Sequence, residues 1–317
     1  MVYLAPMQGL TETYFRKAYY DTFGTKGIDC AISPFISLTH GTLRNASSKI
    51  KDVLPENNIG SLPLIPQILG NEVNEFIELC NRLSDIGYTE VNWNLGCPVK
   101  NVTRKKRGSG LLPYPQMIDS ILYQVVPKIP CQLSIKMRLG YESAEEMSHI
   151  VPILNAYPLK TVIVHPRVGL QMYDGKVDIE AFITCLETLK HRVMYNGDIF
   201  SAADFLHIKS LLGERVCDFM IGRGVLINPL LPFELKAMPL DDPKKCYIDF
   251  VKNLFERINS RDTVEVSKLR KTKEYWTYMV KSLNISDDER CEPLLIPTLK
   301  DFQLAILKIL DDNLFRP

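Results

Sequence analysis

The chain has no cysteine spacing of the kind a metal site or redox pair needs. Its eight cysteines, at positions 30, 80, 97, 131, 185, 217, 246 and 291, include no C-x-x-C pair, which argues against zinc and against a thioredoxin-like motif. No secretory signal accompanies them, and a disulfide framework is not expected in so large a chain. Neither the histidines nor the carboxylates show metal-ligand spacing, so no metal site is expected. Charge of one sign is also missing. The formal net charge is +1, so any nucleic-acid site must be a local patch. No apolar run approaches the roughly 20 residues that cross a bilayer. Met1-Val-Tyr-Leu-Ala-Pro enters a strand pattern with no basic leader and no long apolar segment. These absences predict a reduced, cytoplasmic protein with no membrane association, and nothing implies a protein partner.

What is present is an ordinary globular composition, 46% hydrophobic and 24% charged over 317 residues, enough for a large domain with a smaller one beside it. Short runs rich in Val, Ile and Leu recur at Val2–Ala5, Ile28–Ser33, Pro63–Gln67, Glu90–Asn94, Leu133–Met137, Thr161–His165, Val193–Asn196 and Phe219–Gly222. Amphipathic stretches lie between them. In 72–86 the apolar residues 73, 76, 77, 80 and 83 share one helix face. The stretches 115–126, 144–154, 179–190 and 201–212 fill similar slots, the last with Ser201 where an N-cap belongs. Strand–helix alternation predicts parallel pairing, and eight units predict an α/β (β/α)8 TIM barrel. An open doubly wound sheet carries the same alternation, but no G-x-G-x-x-G follows the first strand. After Pro239 the pattern turns helical, with long helices expected over 247–258, 268–283 and 298–310. We therefore expect a catalytic barrel over 1–239 and a small all-helical domain over 240–317.

Barrel chemistry is built at the C-terminal ends of the strands. Those ends carry Pro6-Met7-Gln8-Gly9, Gln67, Asn94 followed by Cys97, Lys136 and Arg138, His165, Asn196-Gly197-Asp198, and Gly222-Arg223-Gly224. The loops after strands seven and eight are the usual phosphate site. Their glycines let backbone N–H groups approach an anion, and Arg223 can fork onto it. Tight turns alone would also use glycine, but two in succession at these strands favour phosphate. Alternation places Ser134, Lys136 and Arg138 on one face, and an interior lysine needs a ligand or a carboxylate. Lys136 is read as a Schiff-base lysine or as a cation beside an electron-rich cofactor. His165 alone would be a core histidine, and a cysteine alone usually packs. Their company at the strand ends raises both. His40, His149, His191 and His207 join no constellation. The basic run from Lys100 to Arg107, which holds Arg104 and Lys105, adjoins Cys97 and leads into Gly108-Ser109-Gly110, whose composition predicts a flexible segment. Such density beside a pocket suits a polyanion, although a charge run is ordinarily a solvated face.

Seven motifs in order resemble those of the tRNA-dihydrouridine synthases, over most of the chain. Ala5-Pro6-Met7-Gln8-Gly9-Leu10-Thr11-Glu12 is similar to A-P-M-x-G-[VL]-T-[DE], and Asn94-Leu-Gly-Cys-Pro98 to N-x-G-C-P. Val102, Arg104 and Gly108-Ser109-Gly110-Leu111-Leu112 resemble the glycine-rich segment that follows. Ser134-Ile-Lys-Met-Arg-Leu-Gly140 is similar to V-K-x-R-x-G, and Val164-His-Pro-Arg-Val-Gly-Leu-Gln-Met-Tyr-Asp-Gly175 to H-G-R-T-R-x-Q-x-Y-x-G. Asn196-Gly-Asp198 with Ser201 resembles N-G-D-I-x-S, and Met220-Ile-Gly-Arg-Gly224 resembles M-I-G-R-G.

The resemblance implies an FMN barrel with a helical tRNA-binding domain. It assigns FMN binding to Pro6, Met7, Gln8, Gln67, Lys136, His165, Asn196, Gly197, Asp198, Gly222 and Arg223, and substrate contacts to Asn94, Arg104, Lys105 and Arg138. NADPH or NADH would reduce FMN, hydride would pass to C6 of a uridine, and Cys97 would protonate C5 as general acid. The base would be flipped out, most easily from the D-loop. Two departures stand out. Pro166 replaces the glycine after the histidine, and Val168-Gly169 replaces a Thr-Arg pair, removing an arginine expected to meet RNA. The helical region has no clear family signature, and Lys268–Lys273 with Tyr275-Trp276 is the candidate substitute. An aldolase-like barrel with Lys136 as Schiff base, and a non-catalytic RNA-binding barrel, are the alternatives.

Overall fold

Eight apolar runs form the inner wall of a parallel barrel. The computed structural model describes residues 1–37 and 50–313, so His40 lies outside the described residues. Strand β1 is Val2–Leu4, β2 Cys30–Ile32, β3 the two pieces Leu64–Ile65 and Gln67–Ile68, β4 Glu90–Leu95, β5 Gln132–Gly140, β6 Thr161–Val168, β7 Arg192–Asn196 and β8 Phe219–Ile221. Only Pro66 separates the two pieces of β3, because proline has no N–H to give to a ladder. One piece pairs with β2 and the other with β4, while β1 pairs with β8. The nine segments therefore close on themselves, as the barrel reading expects and an open sheet would not.

Alternation sorts the strands' side chains. Ala5, Ile32, Ile163, Met194 and Met220 form a small buried cluster of their own, which fills the barrel interior below His165, Asn196 and Gly222. On β3 to β5 the interior is polar instead, with Gln67, Asn92, Asn94 and Ser134 all buried. Outward-facing residues such as Val91, Trp93 and Ile135 join the main core under the helices. Those helices are α1 (Thr13–Phe23), α2 (Val73–Asp85), α3 (Pro115–Val125), α4 (Met147–Leu154), α5 (Ile179–Thr188), α6 (Ala202–Leu212) and the short α7 (Arg223–Ile227). Helix α2 buries Phe76, Leu79, Cys80 and Leu83, close to the spacing read from sequence. Ser201 caps α6 by accepting the Asp204 N–H at 3.1 Å.

The helical region contains α8 (Pro243–Asn259), α9 (Glu265–Met279) and α10 (Leu299–Asn313). Phe250 of α8 meets Phe15, Tyr19 and Phe23 of α1 with ring centroids 5.5, 6.0 and 6.0 Å apart. Tyr275 of α9 stacks on Phe15 at 5.9 Å and donates its hydroxyl to the Leu10 carbonyl. Arg257 pairs with Asp21 at 2.5 Å. Apart from the small cluster inside the barrel, most buried apolar residues of barrel and helices belong to one cluster.

Helix α9 differs from the basic–aromatic surface expected of it. Tyr275 and Trp276 are core residues, and the Trp276 indole N–H donates to the Arg290 carbonyl. Lys268 and Lys273 donate to the carbonyls of Asn259 and Leu294, and Lys271 pairs with Glu274. The sequence pattern misled because long lysine stems can lie along a buried face with their heads bonded locally. Among the described residues, no helix is long and apolar enough to cross a membrane, and no group of side chains could hold a metal ion. None of the eight cysteines is in a disulfide.

Candidate active site

The strand ends open into a small inner cavity and a larger outer cleft, of about 510 and 1860 Å³ with their open mouths included. Pro6, Met7, Lys136, His165, Tyr173 and Arg223 line both, so the two are continuous. Asn196, Gly197, Asp198 and Gly222 close the inner end. Gln8, Asn94, Cys97 and Arg138 belong to the outer cleft. Glu274, Thr277, Tyr278 and Lys281 of the helical region form its far wall.

Ion pairs organise the inner end. Asp198, at φ +38°, receives Arg167 on both carboxylate oxygens, at 2.8 and 2.5 Å. Arg223 donates to the same carboxylate at 2.8 Å and lies against the rings of Tyr173 and Phe200, 4.8 and 5.1 Å from their centroids. Asp198 thus serves the site by holding two arginines, and its charged oxygens are not offered to an anion. Arg167 also donates to His165 Nε2 at 3.2 Å. A guanidinium has only donors, so His165 accepts at Nε2 and carries its hydrogen on Nδ1. Burial, with Lys136, Arg138, Arg167 and Arg223 nearby, holds its pKa well below the usual histidine value. The imidazole is neutral at pH 7.

Glycine is required where the loops touch. A Cβ on Gly197 would stand 3.0 Å from Val177 Cγ1, and one on Gly224 2.2 Å from the Ile199 carbonyl oxygen. Asn196 donates to the Met220 carbonyl at 2.8 Å and ties the two loops together.

Neutral amides organise the outer end. Asn94 accepts the backbone N–H groups of Gly96 and Cys97 on its Oδ1, at 3.0 and 2.9 Å, which shapes the turn that presents Cys97. Ser109 donates its N–H and its hydroxyl to the Cys97 carbonyl, at 3.0 and 3.1 Å. Gly108, at φ +58°, permits that approach, since a Cβ there would lie 2.5 Å from the same carbonyl. The Gly108–Leu111 segment is a buried 3-10 turn, not the flexible stretch its composition suggested. Arg138 donates to the carbonyls of Gly96, Val168 and Met172 at 3.1, 2.8 and 2.5 Å. Three of its five N–H donors therefore bind backbone, although it also borders the cleft. Gln67 lines neither cavity, and its amide is bonded to Asn92 and Asn94 at 2.8 Å each. Gln67 thus stands behind Asn94, as a support of the turn that carries Cys97.

Lys136 projects between the two ends. Burial and the neighbouring Arg138 push its pKa down to about 7, against the opposing pull of Cys97. No ion pair to it is seen among the described residues, so the carboxylate an interior lysine would need is not supplied by them. An electron-rich or anionic group in the cavity would supply the missing partner.

Arg104 and Lys105 are exposed at the end of the one-turn helix Lys100–Thr103 and border neither cavity. Asn71 holds this loop, donating to the Lys105 and Lys106 carbonyls and accepting from Arg107. At the Val168-Gly169 departure, a Cβ on Gly169 would lie 2.5 Å from Tyr141 and 2.7 Å from Ser109 Oγ, so that position has no room for an arginine. Sequence reasoning overlooked Arg167 and Tyr173. Their signal was alternation with His165 on β6, and the aromatic six residues beyond Arg167 in the same motif.

The family model described as dihydrouridine synthase (Dus) matches residues 3–286. A tRNA-dihydrouridine(16) synthase of Neisseria meningitidis is 29% identical over 251 residues, 77% of this chain and 73% of its own. A tRNA-dihydrouridine synthase B of Pasteurella multocida is 28% identical over 233 residues, 73% of this chain and 67% of its own. Among solved structures, a morphinone reductase superposes with a TM-score of 0.50 at 10% identity, covering 78% of this chain and 90% of its own. A 2-naphthoyl-CoA reductase gives 0.51 at 10%, covering 78% and 51%. At such identity these two similarities concern the barrel fold alone.

Proposed function

The chain belongs to the dihydrouridine synthase family, and from that premise we propose that it reduces the C5–C6 double bond of a uridine in tRNA, in the D-loop, with FMN as cofactor and NADPH or NADH as electron donor. The single observation that carries this reading is Lys136, a cation on the cleft floor with no carboxylate partner among the described residues, in the same cleft as Cys97. An aldolase would also use such a lysine. It would have no need of a shaped cysteine turn or of a paired arginine cluster at the inner end.

The residues fit the cofactor. Lys136 and His165 both line the inner cavity and carry donor groups, which suits a flavin ring that becomes electron-rich on reduction. Arg223 and the glycine loops at Gly197 and Gly222 would hold its phosphate. Held there, FMN would supply the hydride for C6 of the uridine. Cys97 then delivers a proton to C5 from the opposite end of the cleft as general acid. Asn94 and Arg138 border the base, and the mouth between barrel and α9 admits it. Arg104 and Lys105 meet the tRNA backbone outside the cleft, as does the helical region over 240–317. Relatives named for uridine 16 make that position the first to examine. A cytoplasmic location follows from that substrate.

The test begins with colour. Purified protein should be yellow, and with NADPH it should form dihydrouridine in tRNA transcripts, located by primer-extension mapping. Colourless protein that takes up no FMN overturns the proposal.

A further inference from the structure

The turn that carries Cys97 is the end of a longer buried chain of side chains. Asn94 donates its Nδ2 to Gln67 Oε1 at 2.8 Å, and Gln67 donates its Nε2 to Asn92 Oδ1 at 2.8 Å. Asn92 donates its Nδ2 to Ser134 Oγ at 3.0 Å, and Ser134 donates to the Val91 carbonyl at 3.4 Å. Gln67, Asn92 and Ser134 are at most 1% exposed. Strand register lines them up, since Gln67 and Ser134 both stand opposite Asn92 and Lys136 stands opposite Asn94.

Both ends of this chain are fixed by backbone groups whose roles cannot be exchanged. The N–H groups of Gly96 and Cys97 can only donate, so the Asn94 atom they meet is its oxygen. Its nitrogen must then face Gln67 Oε1, which leaves Gln67 Nε2 to face Asn92 Oδ1 and Asn92 Nδ2 to face Ser134. At the other end the Val91 carbonyl can only accept, so Ser134 gives its one hydrogen there and receives from Asn92. No amide in the series can rotate by half a turn without placing donor against donor in a buried site, at a cost of about 1–3 kcal/mol for each unsatisfied group.

We propose that Asn92 and Ser134, neither of which borders the cleft, are positioning residues for Cys97 that act through Gln67 and Asn94. The proton-delivery part of the inference rests on the reading of Cys97 as general acid.

The test uses the purified full-length holoprotein, with Cys97 followed by peptide-resolved iodoacetamide alkylation across pH. Ser134→Ala removes the anchor, and Asn92→Asp keeps the volume while removing the donor to Ser134. Both variants should keep their flavin but shift the pH midpoint and the rate of Cys97 alkylation. Their kcat for dihydrouridine formation should fall on the order of tenfold to a hundredfold, with the KM for tRNA unchanged. Ser134→Thr, which retains a hydroxyl, should restore the wild-type alkylation profile. Flavin-loaded Asn92→Asp or Ser134→Ala with wild-type alkylation rate and midpoint overturns the inference, as does a folded Ser134→Thr that fails to restore them. If the wild-type protein forms no dihydrouridine while alkylation still depends on Asn92 and Ser134, the functional reading fails and the relay stands.

Discussion

The two ends of the cleft are held by opposite means. At the inner end one carboxylate, Asp198, gathers Arg167 and Arg223. At the outer end Asn94, Gln67, Asn92 and Ser134 pass hydrogen bonds among neutral groups. Charges hold the end suited to phosphate, where the arginines that meet an anion must themselves be restrained. Neutral amides hold the end that carries Cys97, the proposed acid, and they leave the field there to Lys136 and Arg138, whose electrostatic coupling to it is mutual. On the proposed function, anion binding and proton delivery would be separated along one continuous cleft.

Three single substitutions test that separation, and a double variant outside the cleft serves as the contrast. Cys97→Ala should lower dihydrouridine formation by a factor on the order of 10²–10⁴, the range of positioned acid–base groups, while flavin and tRNA still bind. Rapid-quench assays with radiolabelled tRNA measure it, and full activity would remove the thiol from the mechanism. Asp198→Ala acts at the other end, leaving the buried Arg167 without its carboxylate. A stability loss of about 3 kcal/mol should appear in urea unfolding, together with loss of FMN, while Cys97 alkylation in the folded fraction stays as in the wild type.

Lys136→Met should weaken FMN binding about tenfold at pH 6, the worth of one hydrogen bond to a charged group. In wild-type protein freed of flavin, Lys136 titrates near 7, and an electron-rich ligand raises that value. Affinity should therefore be flat below pH 7 and fall as pH rises above it, a dependence the Met variant should lack. Flavin-fluorescence titrations from pH 6 to 9 would show the difference. The smallest effect belongs to neither end. Arg104→Ala with Lys105→Ala should weaken tRNA binding and reduce its logarithmic salt slope by up to about 0.9 for each phosphate no longer neutralised. An unchanged slope in filter binding would make the run a solvated face.

Most of the barrel was legible because strand composition and helix spacing each bury one face, and the strand ends then follow by counting. Cys97, Lys136, His165 and the loops at Asn196 and Gly222 meet in one cavity for that reason. What was illegible depended on pairings across strands. Gln67 and Asp198 stand at or just past strand ends, yet side chains of other elements take up their polar atoms, Asn92 and Asn94 for one and Arg167 and Arg223 for the other. Nothing near Tyr275 in sequence reveals that Phe15 and Leu10 will receive it. Composition also misjudged Gly108-Ser109-Gly110, where glycine permits close packing on Cys97.

The single core shared by barrel and helices has a consequence for how the molecule comes apart. Phe15 and Tyr19 are covered by Phe250, with Tyr275 also on Phe15, and Phe23 packs between Phe250 and Phe233. With no seam between the parts, calorimetry should record one melting transition instead of two. A chain ended at Pro239 would bare Phe15, Tyr19 and the Leu10 carbonyl together, leaving Phe23 against Phe233, and it should aggregate as it folds. The wall that α9 gives the cleft should therefore be lost together with the barrel floor it faces.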